Sequence, residues 1–204
     1  KNENYWNYID IVSSNLESRM PRGKCNILIS GVSGMIGVVL TDILLYSNRI
    51  YGTQYNVTGI GRGKGHAEEM FSEYKDDDGF RFVQHDINNA LAEAGVVDYI
   101  IHAASNTHPV DYSIDPIGTI TANVIGTNNL LEYAVSHGCR RFVFLSSVEI
   151  YGENKGDIER FNETYNGYIN CNTLRAGYPE SKRTGEALCQ AYGKKYNLDF
   201  VIPR

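Results

Sequence analysis

The stretch Ile27-Leu28-Ile29-Ser30-Gly31-Val32-Ser33-Gly34-Met35-Ile36-Gly37 limits what this chain can fold into more than any other. Its apolar start reads as a buried strand, and apolar periodicity from Ile36 to Tyr46 reads as a helix. Between them the glycines are spaced G-x-x-G-x-x-G. Strand, glycine turn and helix in that order make a dinucleotide site. Gly31 allows a sharp turn, Gly34 lets backbone approach a pyrophosphate, and Gly37 lets the helix pack close to the sheet. The helix N-terminus, with Met35 and Ile36 in its first turn, offers free N–H groups and partial positive charge to phosphates. Alone, the pattern is equally that of an ordinary glycine-rich turn, so the rest of the chain decides.

Upstream, Tyr5, Tyr8, Ile9, Val12 and Leu16 recur at helical spacing, which predicts a short amphipathic helix ending before Pro21 and packed on a domain edge. Residues 1–22 are therefore read as a helical extension and 23–204 as the dinucleotide-binding domain. Downstream, strands are predicted at Val57–Ile60, Phe80–Gln84, Val97–His102, Arg141–Leu145 and Phe200–Ile202. Helices are predicted over His66–Tyr74, Ile117–Ser136 and from Pro179 to Tyr196, with Ile120, Val124, Leu131 and Val135 striping the second. The connection from Ser105 to Pro116 reads as loop, and Glu153 to Ala176 as polar and irregular. Continuous apolar strands alternating with helices imply an α/β fold, a doubly wound parallel sheet covered on both faces. Such sheets bind ligands beyond the C-terminal strand ends, where Gly31, Arg62, Asp86, Ala103 and Ser147 all fall.

Composition narrows the class. A net charge of −5 with no Lys/Arg-rich run argues against broad nucleic-acid binding. No apolar run approaches the roughly 18–20 residues that span a bilayer. Cys25, Cys139, Cys171 and Cys189 lack C-x-x-C spacing and read as reduced thiols of a cytoplasmic protein. His85, His102 and His108 come with no acidic ligand pattern, so no metal is expected.

Chemistry concentrates in Tyr178-Pro179-Glu180-Ser181-Lys182, which sets a phenol and an ammonium four residues apart on one helical face. A free tyrosine, with a pKa of about 10, is a poor base near neutral pH. A neighbouring ammonium and a cationic nicotinamide would favour its phenolate. Upstream, Ser146-Ser147 closes the fifth strand and offers a hydroxyl to a substrate oxygen.

These residues resemble the extended short-chain dehydrogenase/reductase family of nucleotide-sugar epimerases, dehydratases and decarboxylases. The resemblance runs from about Gly23 to Arg204 through the glycine turn, Asp86-Ile87, His102-Ala103-Ala104, Asn123-Val124-Ile125-Gly126-Thr127, Ser146-Ser147-x-x-x-Tyr151-Gly152 and Tyr178-x-x-x-Lys182. It implies that Tyr178 is the catalytic acid/base, that Lys182 binds the nicotinamide ribose and lowers the Tyr178 pKa, and that Ser147 hydrogen-bonds the reacting sugar oxygen. It further implies that Asp86 and Ile87 meet the adenine, that Ala103 and Ala104 line the cofactor cleft, and that Asn123 belongs to the cofactor-binding set. The implied reaction oxidises a sugar C4 hydroxyl to a 4-keto sugar, which then epimerises, dehydrates or decarboxylates.

Glu149 matches the glutamate of the dehydratase and UDP-glucuronate decarboxylase branches. The dehydratases precede it with a proton-donating aspartate, and Val148 stands there instead, which counts against 4,6-dehydration. Arg175, three residues before Tyr178, matches an arginine of the decarboxylase branch and is a candidate partner for an acidic substrate group. Arg62 occupies the place where NAD sites usually carry an acid, so NAD and NADP both stay open. Family members continue for roughly a hundred residues past an Ile-Pro-Arg-like strand into a substrate domain, so a cofactor domain of a longer enzyme is expected. The expected partners are a nucleotide-diphosphate sugar and, through the helices starting at Ile117 and containing Tyr178, a second copy in a homodimer. The alternative is a non-catalytic NAD(P)-binding regulatory or scaffold module.

Overall fold

Each apolar run of the sequence becomes one strand of a single sheet in the computed structural model, which describes residues 1–20, 23–92, 94–107 and 109–204. The strands are β1 (Lys24–Ser30), β2 (Gln54–Gly61), β3 (Phe80–Gln84), β4 (Tyr99–His102), β5 (Arg141–Phe144) and β6 (Phe200–Val201). They lie in the order β3-β2-β1-β4-β5-β6 with every pairing parallel. The order reverses between β1 and β4, and the glycine turn leaves β1 at that switch point.

Alternation along β1 explains why both faces are covered. Ile27 and Ile29 join a core with Leu45, Tyr55, Phe71 and Tyr74, while Leu28 joins Ile100, Leu130, Phe142 and Phe144 on the other side. The helices are α1 (Glu3–Glu17), α2 (Met35–Tyr51), α3 (Lys64–Met70), α4 (Pro109–Ile114), α5 (Pro116–Thr121), α6 (Thr127–Ser136) and α7 (Gly177–Tyr196). Among the described residues no helix is long and apolar enough to cross a membrane. The doubly wound parallel sheet is as the sequence implies.

Several local expectations are corrected. The inward face of α1 is Ile9 and Ser13, whereas Tyr8 is 58% exposed. Ser13 is buried because its hydroxyl donates to Ile43 O on α2 (3.2 Å), a partner no periodicity reveals. The 105–116 connection contains the six-residue helix α4. The long helix from residue 116 to 136 is interrupted by a π turn at Ala122–Gly126. Ile120, expected on the inward stripe, is 40% exposed, while Thr119, Asn123 and Thr127 are buried. The proposed boundary at Pro21–Arg22, and His108, lie outside the described residues.

Candidate active site

The glycine turn builds the floor of a cleft of about 370 Å³ at the C-terminal strand ends. Gly31 adopts φ +68°, and a Cβ there would sit 2.7 Å from the Ala104 backbone at the end of β4. At Gly37 a Cβ would lie 2.5 Å from Val32 O, so only glycine lets α2 start this close to the turn. Gly34 is the N-cap of α2 and has no side chain to satisfy the first-turn amides, among them those of the exposed Met35 and Ile36. Gly31, Gly34, Arg62, Asp86, Ile87, Ala103 and Ala104 all line the cleft.

Two observations test whether a dinucleotide fits. The uncapped start of α2 leaves amide donors for a pyrophosphate. Asn88, also in the lining, has a buried Oδ1 with no hydrogen-bond partner, an acceptor that awaits a donor at the Asp86–Ile87 end. Both fit. Nothing in the sequence marked Asn88, because its significance lies in what is missing around it. Arg62 is exposed at the rim and uses its carbonyl to accept from Gln84 Nε2 (3.0 Å).

Asn123, Tyr178 and Lys182, grouped with the cofactor contacts on sequence, do not line this cleft. Asn123 is fully buried; its Oδ1 accepts from Ser105 Oγ (2.8 Å) and its Nδ2 donates to Ser181 Oγ (2.9 Å). Ser181 Oγ in turn donates to Tyr178 O (2.8 Å), so Asn123 ties the cleft wall to the helix that carries the phenol. Beneath it, the Thr127 hydroxyl donates to Asn123 O (2.5 Å), so His102 Nε2 donates to Thr127 (3.0 Å) and Nδ1 accepts from Ser30 Oγ (2.7 Å). Burial, and then the Lys182 charge, push His102 down to about 3, which fits this neutral packed role.

The phenol, ammonium and hydroxyl do converge, beyond β5. The Ser147 hydroxyl is close enough to the Tyr178 phenol to favour its ionised form, and Lys182 Nζ lies 5.9 Å from the Tyr178 ring centre. Lys182 is 2% exposed, donates to Leu145 O (2.8 Å) and is lowered to about 8 by desolvation. Tyr178 differs from expectation. Burial pushes its phenol upward and Glu149 adds to this, with only the Ser147 hydroxyl acting the other way. The protein groups by themselves therefore keep the phenol protonated.

Glu149 and Arg175, singled out separately, pair with each other: Nη2 to Oε1 is 2.8 Å. Arg175 Nη1 also donates to Tyr112 Oη (2.7 Å), and the Tyr112 ring stacks on Tyr178 with centroids 5.4 Å apart. Tyr112 escaped the sequence reading because it sits in α4, where a loop was expected. A tyrosine between Pro109 and Pro116 was the available signal. These groups border a second hollow of about 570 Å³ lined by Val148, Glu149, Tyr168, Asn170 and Arg175. Among the described residues no three His, Cys, Asp or Glu side chains group as a metal site, and all four cysteines are free, with Cys171 exposed.

A family model for the NAD dependent epimerase/dehydratase family matches residues 27–204. The chain is 32% identical over 183 residues to UDP-glucuronic acid decarboxylase 1 of Danio rerio, covering 90% of this chain and 41% of that protein. It is 31% identical over 189 residues to UDP-glucuronic acid decarboxylase 3 of Arabidopsis thaliana, covering 92% and 52%. The chain thus spans about half, or less, of the curated relatives it matches. Among solved structures it is similar to the dTDP-glucose 4,6-dehydratase DesIV from Streptomyces venezuelae, crystallised with NAD (TM-score 0.72, 28% identity, 87% of this chain and 54% of that one).

Proposed function

The chain belongs to the NAD dependent epimerase/dehydratase family, and from that premise we propose that it is the dinucleotide domain of an enzyme that remodels a nucleotide-diphosphate sugar through a transient 4-keto sugar. In this reading residues 23–204 are that domain and residues 1–22 a helical extension of it, and the chain spans about half, or less, of the curated relatives it matches. The observation carrying the reading is the convergence of Tyr178, Lys182 and Ser147 beyond β5, tied through Ser181 and Asn123 to Ser105 in the lining of the dinucleotide cleft.

When bound, NAD supplies the two-electron hydride chemistry. Its pyrophosphate would rest on the start of α2, with Asp86, Ile87 and Asn88 at the adenine end. NADP is the second reading, favoured by the exposed Arg62 at the rim, a guanidinium suited to a 2′-phosphate. Ser147 presents its hydroxyl to the sugar oxygen. Tyr178 Oη takes the proton from the C4 hydroxyl and later returns one. Because burial holds the phenol protonated, this role depends on positive charge arriving next to it, which the cationic nicotinamide of a bound cofactor would supply.

Among the reactions open to a 4-keto sugar, decarboxylation or epimerisation is favoured over 4,6-dehydration. Val148 is 64% exposed at the mouth of the hollow and has no proton to give. Arg175 and Glu149 stand as an ion pair at the same mouth, a cation available to a substrate carboxylate and a carboxylate available for proton transfer. The test is a panel of UDP-, dTDP-, CDP- and GDP-sugars given to the full-length protein, with product mass analysis. Loss of carbon dioxide, loss of water or no mass change identifies the reaction, and Tyr178→Phe is expected to cut turnover at least about a hundredfold. Turnover of Tyr178→Phe near the wild-type rate, or NAD binding without turnover of any sugar, would leave only a dinucleotide-binding module.

A further inference from the structure

Tyr178, Lys182 and Glu186 recur every four residues along α7 and so share one face. Each faces one of three consecutive residues leaving β5. Lys182 Nζ donates to Leu145 O (2.8 Å), Glu186 Oε1 accepts from Ser146 Oγ (2.5 Å), and the Tyr178 phenol lies near the Ser147 hydroxyl. The proposed reaction uses Lys182 and Tyr178. It leaves Glu186 unexplained.

Glu186 is not a loose surface acid. Its side chain is 13% exposed, and Arg204 grips both oxygens, Nε to Oε1 at 3.0 Å and Nη2 to Oε2 at 2.7 Å. Arg204 also donates from Nη1 to Glu163 O (2.7 Å) and lies over the Tyr151 ring, 5.4 Å from its centre. Ser146 is pinned at a second point, its N–H donating to Pro203 O (2.9 Å) past the end of β6. Residue 147 therefore leaves a neighbour fixed through both backbone and side chain. Ser147 itself is extended (φ −155°, ψ 149°), and its Oγ accepts from Glu149 N (3.2 Å) to cap the 3-10 turn Val148–Tyr151.

We propose that Glu186 is a positioning residue of the sugar site, acting through Ser146 to set where Ser147 presents its hydroxyl, with Arg204 clamping Glu186 in place. This rests on the reading of Tyr178 and Ser147 as the reacting pair. A displacement of about 1 Å at a reacting group is enough to cost up to about a hundredfold in rate. The link runs through one hydrogen bond, and Ser146 keeps its backbone anchor without it, so a partial loss is expected.

The experiment uses the full-length protein with the sugar nucleotide that the panel identifies, and reads kcat, KM, NAD affinity and thermal midpoint. Glu186→Ala and Ser146→Ala are each expected to lower kcat about tenfold, with KM and NAD affinity unchanged within about twofold. Glu186→Gln, whose amide oxygen still accepts from Ser146 and Arg204 Nε while its amide nitrogen gives up Arg204 Nη2, is expected to recover part of the loss. The double variant Ser146→Ala/Glu186→Ala is expected to be no slower than either single one, because both cut the same link. Wild-type kcat in Ser146→Ala, no recovery in Glu186→Gln, or losses that multiply in the double variant would overturn the proposal. Should Glu186→Ala not fold, Ser146→Ala with Ser146→Thr as its hydroxyl rescue decides the matter, since both leave the Arg204 clamp intact. Tyr178→Phe and Ser147→Ala separate the two levels. If they are inactive while Ser146→Ala is not impaired, only the positioning role fails; if they turn over normally, the enzymatic reading fails with it.

Discussion

Lys182 shows how one residue can serve a site at the expense of the fold. Its ammonium is almost fully enclosed, with Leu145 O as its hydrogen-bond partner and the Phe144 ring 4.9 Å away. Desolvation brings it down to about 8 from the ordinary 10.5. Between those pH values the unfolded chain holds a proton that the folded chain has released, so this group makes stability rise with pH across that window. Below pH 8 the folded state carries the whole cost of the buried charge, roughly 3 kcal/mol from the size of the gap. Lys182→Met, which fills the same space without charge, is therefore expected to unfold at higher denaturant than wild type at pH 7, with the advantage shrinking toward pH 10.5. It is also expected to lose turnover, the usual conflict between stability and a strained site. Unfolding curves at pH 7 and pH 10 check this, and an equal difference at both would show that burial of the charge is not the cause.

At the scale of elements, α1 is bolted to α2, the helix whose start forms the floor of the cleft. The bolt is Asp42, fully buried on α2, which receives Tyr5 Oη, Tyr74 Oη (2.8 Å) and Lys1 Nζ (2.8 Å). Trp6 stacks on Tyr46 at 6.0 Å, and Asp10 accepts from Tyr46 and Tyr51 (3.1 and 2.8 Å). Removing a buried, multiply bonded carboxylate strands its donors, so Asp42→Ala is expected to cost about 3 kcal/mol of stability. Glu73 also pairs with Lys1 (2.7 Å), but its side chain is 38% exposed, and Glu73→Ala is expected to cost less than about 1 kcal/mol. Denaturant unfolding of both variants checks the contrast, and equal small costs would mean that α1 is not fastened through Asp42. The existence of α1 was legible in its apolar spacing; its fastening was not, because Ser13 and Asp42 are polar residues whose burial depends on partners more than twenty positions away. The inward face of the helix through 116–136 was hidden for a related reason: Thr119, Asn123 and Thr127 are buried there, where hydrogen bonds rather than apolar contacts hold them.

At the scale of the whole molecule, the doubly wound parallel sheet and the placement of the glycine turn were readable because both follow from periodicity and from the handedness of parallel crossovers. The pairing of Glu149 with Arg175, the stacking of Tyr112 on Tyr178 and the clamp on Glu186 were not, since each joins side chains from separate loops or helices. One large-scale feature is left open by the fold itself. Along α5 and the π turn, Ile117 (74%), Ile120 (40%) and Ile125 (45%) are exposed at spacings that place them on one side. A row of large apolar side chains on one helical side invites cover. We propose that this side meets its own copy in the homodimer inferred from the family resemblance, in a four-helix contact with α7. A two-fold contact brings each residue against the same patch on the partner copy, so one introduced charge is present twice. Ile117→Asp and Ile125→Asp in the full-length protein are expected to shift sedimentation from dimer toward monomer while leaving NAD affinity intact, because neither residue lines the dinucleotide cleft. A wild-type protein that sediments as a monomer across concentrations, or variants that stay dimeric, would place the contact elsewhere or remove it.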